Sequence, residues 1–383
     1  MTDSPRLTVL TSLDGIDPQQ WDAFAHGHPF LRHAFLTALH ETGCAAPETG
    51  WSPFFLALHR DGALAGAMPL YVKSHSRGEY VFDQGWAQAF EQHGLAYYPK
   101  LLAAVPFTPV TGPRLLAATH ADRVLLARGA VELTQRLKLS SLHVLFPHEQ
   151  DLAALTEAGL VTRAGVQFHW QNRGYAGFEA FLGALSHDKR KKIRQDRKKV
   201  AAAGISFRWL RGADITPGDL AFFHACYEAT YRNHWSSPYL TLAFFERLHA
   251  AMPQALVLVL AQQGTKPLAA ALNISDGTTL YGRHWGTTAF VPGLHFETCY
   301  LQGIEYCLAH GLARFEGGAQ GEHKMARGLL PVPTASAHWV ADQRFARAIS
   351  DFLDREGAAV ADYRDELQAH TPFRQDTSDR QPD

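Results

Sequence analysis

The chain has 383 residues, 46% of them apolar and 19% charged, with a net charge of −1. That length suits two α/β domains better than one core. The composition excludes disorder over the bulk of the chain, and the balanced charge excludes a nucleic-acid binder by bulk charge alone. Cys44, Cys226, Cys299 and Cys307 form no CxxC pair and no disulfide framework, so a reduced, cytoplasmic chain is expected. The polar start Met-Thr-Asp-Ser-Pro-Arg does not read as a secretory signal. The longest aliphatic run, Ala255–Ala261, is one buried strand and far too short to span a membrane.

In chain order, Leu7–Leu10 reads as a strand, and Trp21–Ala25 and Phe30–His40 as helices. Phe54–His59 and Leu64–Val72 are strands around Arg60-Asp61-Gly62, a hairpin turn. Gly85–Leu115, rich in Gly, Pro and aromatics, reads as a long irregular stretch with a functional role. Helix 121–138, strand 141–146, helix 150–158 and a strand near 165–172 complete this half. A basic helix over 178–203 opens the second half. Strand 205–210, helices 217–233 and 241–250, and strands 255–262, 267–275 and 278–286 follow. A helix over 295–310, a strand at 313–316, the glycine-rich Glu316–Lys324, a strand near 336–340 and a helix over 341–368 close the chain. Both halves share one element order, so two copies of one fold are expected.

Residues 189–199 carry eight cations against Asp196, a charge of +7, which leaves −8 for the remainder. Leu182, Leu185, Ile193 and Val200 form only a narrow apolar seam on this helix. Like charges at i,i+4 repel, so Lys189, Arg190, Lys191, Arg194 and Lys198 are candidates for binding phosphate. The competing reading is a solvated face.

Three stretches carry a family resemblance. The first is Lys189-Arg190-Lys191-Lys192-Ile193-Arg194 running through Lys198-Lys199 to Gly204-Ile205. The second is the helix Thr298–His310 followed by Gly311-Leu312-Ala313-Arg314-Phe315-Glu316-Gly317-Gly318. The third joins Tyr281–Gly286, Leu294–Glu297 and Gly321–Lys324. Together they resemble the duplicated form of the GNAT acetyltransferase superfamily, and within it the Fem-like, peptidoglycan-type transferases. The resemblance implies an α/β (α+β) chain of two tandem GNAT-like domains, each a mixed, mostly antiparallel sheet flanked by helices. The domains fall at 1–165 and 166–370, with 371–383 a disordered tail.

The implied reaction moves an acyl or aminoacyl group from acyl-CoA or aminoacyl-tRNA to an amine. That amine belongs to a small molecule or peptide such as a cell-wall precursor. The donor is a co-substrate and no cofactor is tightly bound; tRNA is the implied macromolecular partner. Acetyl-CoA users place an (Arg/Gln)-x-x-Gly-x-(Gly/Ala) turn before this helix, to hold pyrophosphate on backbone N–H groups. Thr287–Gly293 does not match it. A phosphate- or RNA-binding module without catalysis is the alternative, against which stands the chemistry-rich loop Glu316–Lys324.

Amide formation needs a neutral amine and therefore a proton acceptor. Glu297 and Glu322 lead the candidates, followed by Glu316, whose Gly-Gly neighbours allow close backbone approach. Glu305 lies on the same helix as Glu297. Arg283, His284, Trp285, His295, Gln320, His323 and Lys324 are candidates for holding substrate, with Tyr98 of the irregular stretch on the acceptor side. The histidines lack zinc spacing, so no metal is expected. No Gly-x-Ser-x-Gly elbow or P-loop occurs, which removes hydrolase and kinase readings.

Overall fold

The computed structural model describes residues 4–233, 235–319 and 321–374. Its strands are β1 (Arg6–Leu10), β2 (Trp51–Pro53), β3 (Phe55–Arg60), β4 (Ala63–Met68), β5 (Tyr71–Lys73), β6 (Lys100–Ala103), β7 (Leu116–Ala117), β8 (Ser141–Leu145), β9 (Val161–Gln171), β10 (Ile205–Arg211), β11 (Leu256–Gln263), β12 (Lys266–Ser275), β13 (Thr279–Thr287), β14 (Arg314–Glu316) and β15 (Leu330–Val340). Two compact units emerge. The first takes the chain to Val166 together with Tyr239–Ala251 and Pro333–Asp362. The second takes Gln167–Pro238, Met252–Val332 and the chain from Tyr363 on. Mixed sheets flanked by helices are the class expected.

In the first unit β1, β3, β4 and β7 pair antiparallel in that order. Asp61 and Gly62, with φ of 50° and 78°, make the expected Asp-Gly turn between β3 and β4. A second group pairs β2 with β5, β5 with β6, β6 in parallel with β8, and β8 with the end of β15. Leu56, Leu58, Leu101, Leu142 and Val144 of these strands close on Val124, Ala127 and Leu133 of the helix His120–Arg136. The expected strand Leu64–Val72 is split at Pro69, which has no N–H to continue a ladder. The stretch expected to be irregular holds the helix Gln84–Gln92 and β6.

In the second unit the order is β10-β11-β12-β13-β14-β9, antiparallel except for the parallel pair β13–β14. A parallel pair needs a long crossover, and the helical run from Leu294 to His310 supplies it. The helix Pro217–Asn233 packs on β13 at Gly286. There a Cβ would lie 1.9 Å from the Cys226 carbonyl oxygen. Gly286→Ala is therefore expected to cost about 1–3 kcal/mol or more by overpacking. A urea titration measures it, and an unshifted midpoint would contradict that packing.

The basic helix, expected as one element, breaks into Phe178–Ala184 and His187–Ala202. Leu185 is extended and fully buried, and it forms an antiparallel bridge with Phe373, while Ser186 N–H donates to Pro372 O at 2.9 Å. A tertiary backbone pairing thus overrides local helix propensity. The same pairing fixes Thr371–Arg374, the start of the segment expected to be disordered; residues 375–383 lie outside the described residues.

Candidate functional site

An irregularity in β13 organises the second unit. Leu272 of β12 faces His284, whereas Asn273 faces Gly282, so Arg283 is an extra residue on β13. Such a bulge bends the strand and re-aims its side chains. β13 pairs with β14 only over Thr279–Tyr281 opposite Arg314–Glu316. From Gly282 onward this edge of β13 has no strand neighbour among the described residues, and the chain after Glu316 leaves as Gly317-Gly318. The result is a wedge between two diverging strands, with backbone groups along its edge.

Lys324 stands at this wedge. It is 2% exposed, and its Nζ donates to Gly318 O at 2.8 Å. A Cβ on Gly318, whose φ is +86°, would lie 4.0 Å from both Lys324 Nζ and Gly282 O. Burial pushes the Lys324 ammonium down to about 8, with Cys299 acting in the opposite sense. Glu316 is likewise buried, and burial pushes it up to about 7 against the pull of Arg314. Its Oε1 is 3.3 Å from Arg314 Nε and 3.8 Å from His169 Nδ1, while Oε2 has no hydrogen-bond partner. A carboxyl near 7 and an ammonium near 8 are poised for acid–base work at neutral pH.

An aromatic and imidazole group adjoins Lys324. The His295 ring centre lies 5.0 Å from Trp285, 5.2 Å from Phe296 and 5.7 Å from Tyr300. Tyr300 Oη is 3.4 Å from His323 Nε2, and the Arg327 guanidinium sits 3.6 Å over the Phe296 ring. Burial, then His323, Arg327 and Lys324, push His295 down to about 4, so its imidazole is neutral. Trp285, His295, His323 and Lys324 are thus brought together, joined by Tyr300 and Arg327, which the sequence reading did not single out. Aromatics at helical spacing read as core, and that hid Tyr300.

The remaining candidates are placed differently. Glu297 is buried in a five-residue π-turn, Glu297–Leu301, a form frequent at functional sites. Its Oε1 is 3.1 Å from Arg197 Nε and accepts from Gln302 Nε2 at 2.9 Å, and Arg197 also reaches Glu305 at 2.7 Å. Burial raises it, opposed by Arg197. Glu322 is exposed and accepts from Tyr363 Oη at 2.5 Å. It lines a recess of about 470 Å³ with Lys189, Met325, Glu366, Leu367 and His370. Arg283 is half-buried at the bulge and draws Glu316 downward. His284 packs edge-on against Tyr227 at 5.0 Å and is pushed well down by burial and by Arg283. Tyr98 belongs to the first unit, and Gln320 lies outside the described residues.

On the basic helix, Ile193 and Val200 are buried. His187, Arg190, Lys191, Arg194, Gln195 and Lys198 line a shallow recess of about 450 Å³. At 100° per residue that face is turned away from Ile193 and Val200. Arg194 pairs with Glu179 at 2.5 Å, whereas Lys191 and Lys198 form no ion pair among the described residues.

The family described as FemAB-like, peptidoglycan biosynthesis/recognition, matches residues 12–375. FemX is similar in structure, with a TM-score of 0.55 at 14% identity, over 90% of this chain and 100% of that one. L-PGS from Bacillus licheniformis gives 0.54 at 9% identity, over 88% and 96%. A conserved protein of unknown function from Bacteroides thetaiotaomicron gives 0.51 at 10%, over 88% and 100%. At these identities the shared property is the fold. No curated protein matches the chain. Among the described residues no helix is long and apolar enough to cross a membrane.

Proposed function

The chain belongs to the FemAB-like peptidoglycan biosynthesis/recognition family, and on that premise we propose that it moves an aminoacyl group from aminoacyl-tRNA to an amine of a cell-wall precursor. The observation that carries this reading is the β13–β14 wedge with Lys324 at its mouth. The donor's ester carbonyl would enter the wedge, where the free backbone edge and the Lys324 ammonium face the oxygen that becomes negative on attack. Glu316, with its free Oε2, takes the proton that the attacking amine loses. The C–N bond forms, the ester C–O bond breaks, and the departing hydroxyl oxygen takes up a proton. His295, neutral at pH 7, holds substrate by hydrogen bonding rather than by charge.

The donor class follows from where the cations lie. The face from His187 to Lys198 runs about 17 Å along the helix and turns away from the core. A single pyrophosphate is better held beside the reacting carbonyl; a long outer stripe suits repeated phosphates. The triple reversal Lys191→Glu, Arg194→Glu and Lys198→Glu is expected to weaken tRNA binding and flatten its salt dependence, since each phosphate contact contributes to that slope. Unchanged affinity and slope would return the helix to a solvated face. Turnover with an acyl-CoA and none with aminoacyl-tRNA would overturn the donor.

Glu316→Gln should lower kcat about 10²–10⁴-fold, as loss of a general base does. Full turnover in that variant would move the base to Glu297, Glu322 or the substrate itself.

A further inference from the structure

The first unit holds a buried polar chain that the transfer centre does not use. Lys100 is fully buried, and its Nζ donates to Ser76 Oγ at 2.8 Å, to Glu79 Oε2 at 2.8 Å and to Asp83 Oδ2. Its three N–H bonds are thereby used. Tyr97 Oη donates to Asp83 Oδ2 at 2.6 Å and lies 3.1 Å from His143 Nε2. His143 Nδ1 is 2.6 Å from His338 Nδ1, whose Nε2 is 2.8 Å from Ser336 Oγ. At the other end Ser76 Oγ is 2.8 Å from the half-buried Tyr98 Oη.

Two proton orders satisfy the imidazoles. In one, His143 Nδ1–H donates to His338 Nδ1, His338 Nε2–H to Ser336 Oγ, and Ser141 Oγ–H to His143 Nε2. In the other, Ser336 donates to His338 Nε2, His338 Nδ1–H to His143 Nδ1, and His143 Nε2–H to Tyr97 Oη. That Nε2–H is shared with Ser141 Oγ at 2.7 Å. Both imidazoles are then neutral, in keeping with burial, which pushes each of them down.

Two acceptors are left over. Glu79 Oε1 and Asp83 Oδ1 have no hydrogen-bond partner, although each residue is only 4% exposed. The neighbouring buried cation does not serve them: Lys73 Nζ lies 3.5 Å from Arg77 O and 3.7 Å over the Trp51 ring. Two carboxylates therefore share one ammonium and keep lone pairs for another. Leaving buried acceptors unsatisfied is costly, so their place in one knot points to a donor that arrives and departs.

We propose that Glu79 and Asp83 form a recognition site for a primary ammonium, entered by movement of the irregular segment Ser74–Phe82, which carries Glu79 itself and leads directly into Asp83. That segment contains no helix or strand and exposes Ser74, Arg77 and Phe82. The bound ammonium donates N–H bonds to Glu79 Oε1 and Asp83 Oδ1. One proton then passes to Glu79, giving a neutral amine and a carboxylic acid, with no other reactant. The two acids are suited to different parts. Burial pushes Glu79 up to about 7 with Lys100 opposing. Burial would raise Asp83 too, but Lys100 and Tyr97 hold it below the usual range, so it stays ionised. Only the identification of this amine with the transferase acceptor rests on the reading above.

The test is calorimetric titration of the full chain with Nα-acetyl-lysine amide and with its Nε-trimethyl form. Saturable binding of the primary amine alone is expected, with protection of Ser74–Phe82 from hydrogen exchange changing on binding. Glu79→Gln and Asp83→Asn should each weaken it about 10–100-fold, the range for a charge-assisted hydrogen bond. Absence of saturable binding to the unaltered chain, or equal binding of the trimethyl form, would overturn the site whatever the variants do. Lys324→Met should bind the amine as the parent does while losing transfer; in the parent chain, amine binding without any transfer from aminoacyl-tRNA would sink the transferase reading and leave this site standing.

Discussion

Lys324→Met should lower kcat about 10²–10³-fold, the loss typical of removing one oxyanion donor, while leaving the melting temperature equal or slightly raised. The two halves of that expectation come from one fact. The Lys324 ammonium is buried and donates to Gly318 O, and burial lowers it to about 8 from an ordinary 10.5. A base whose folded pKa is depressed binds its proton less tightly folded than unfolded. Lys324 therefore detracts from stability at neutral pH, and the detraction fades as pH rises between about 8 and 10.5. Methionine removes that cost and fills similar space.

Activity should respond oppositely. Turnover needs Lys324 charged and Glu316 ionised, so it should rise through about 7 and fall through about 8. In Glu316→Gln the acid limb should vanish and the alkaline limb remain. A Lys324→Met chain that keeps most of its turnover would leave the wedge without its electrophile and refute the mechanism. One that unfolds would show the lysine to be a packing residue.

The strands and helices of the second unit were largely legible because their apolar runs are long and regular. β11, Leu256–Gln263, is an aliphatic run buried from Leu256 to Ala261, and such a run has few other uses. The neighbourhood of the wedge was legible too, since Gly317, Gly318 and Gly321 crowd around Glu316 and Lys324. What could not be read was partnership. Glu297 ranks high as a carboxylate at a helix start, yet its guanidinium partner, Arg197, lies a hundred residues earlier. The break at Leu185 was hidden for the same reason, because Phe373 supplies it from the far end of the chain. Lys73, Glu79, Asp83 and Lys100 look like ordinary surface charges spread over four turns of sequence punctuation. Only the closure of β5, β6 and the segment between them buries all four.

That burial sets the second large effect. Lys100→Met is expected to destabilise the chain by about 3–5 kcal/mol at pH 8, because it removes one partner of a buried ion cluster and strands the others. The sign of its pH dependence follows from the two acids. In the parent, Asp83 is held below its ordinary 3.8, so it contributes stability above that value and loses it as pH falls. Without Lys100, burial acts unopposed by that ammonium and raises both carboxyls, which then favour the protonated form when folded. The variant should thus gain relative stability as pH falls toward the unfolded carboxylate range, and lose it as pH rises through the raised folded values. The Asp83 loss in the parent lies below pH 3.8, and Glu79, already raised to about 7 there, lets the parent too gain as pH falls. The variant gains more, because both its carboxyls are raised further, so urea midpoints of parent and variant should approach one another between about pH 8 and pH 5. Adding Glu79→Gln and Asp83→Asn to Lys100→Met should restore part of the loss at pH 8 by removing the stranded charges. A gap of the same size at both pH values would assign the role of Lys100 to its contacts with the Tyr97 and Tyr98 rings, 5.5 and 5.8 Å away, rather than to the charge it brings to Glu79 and Asp83.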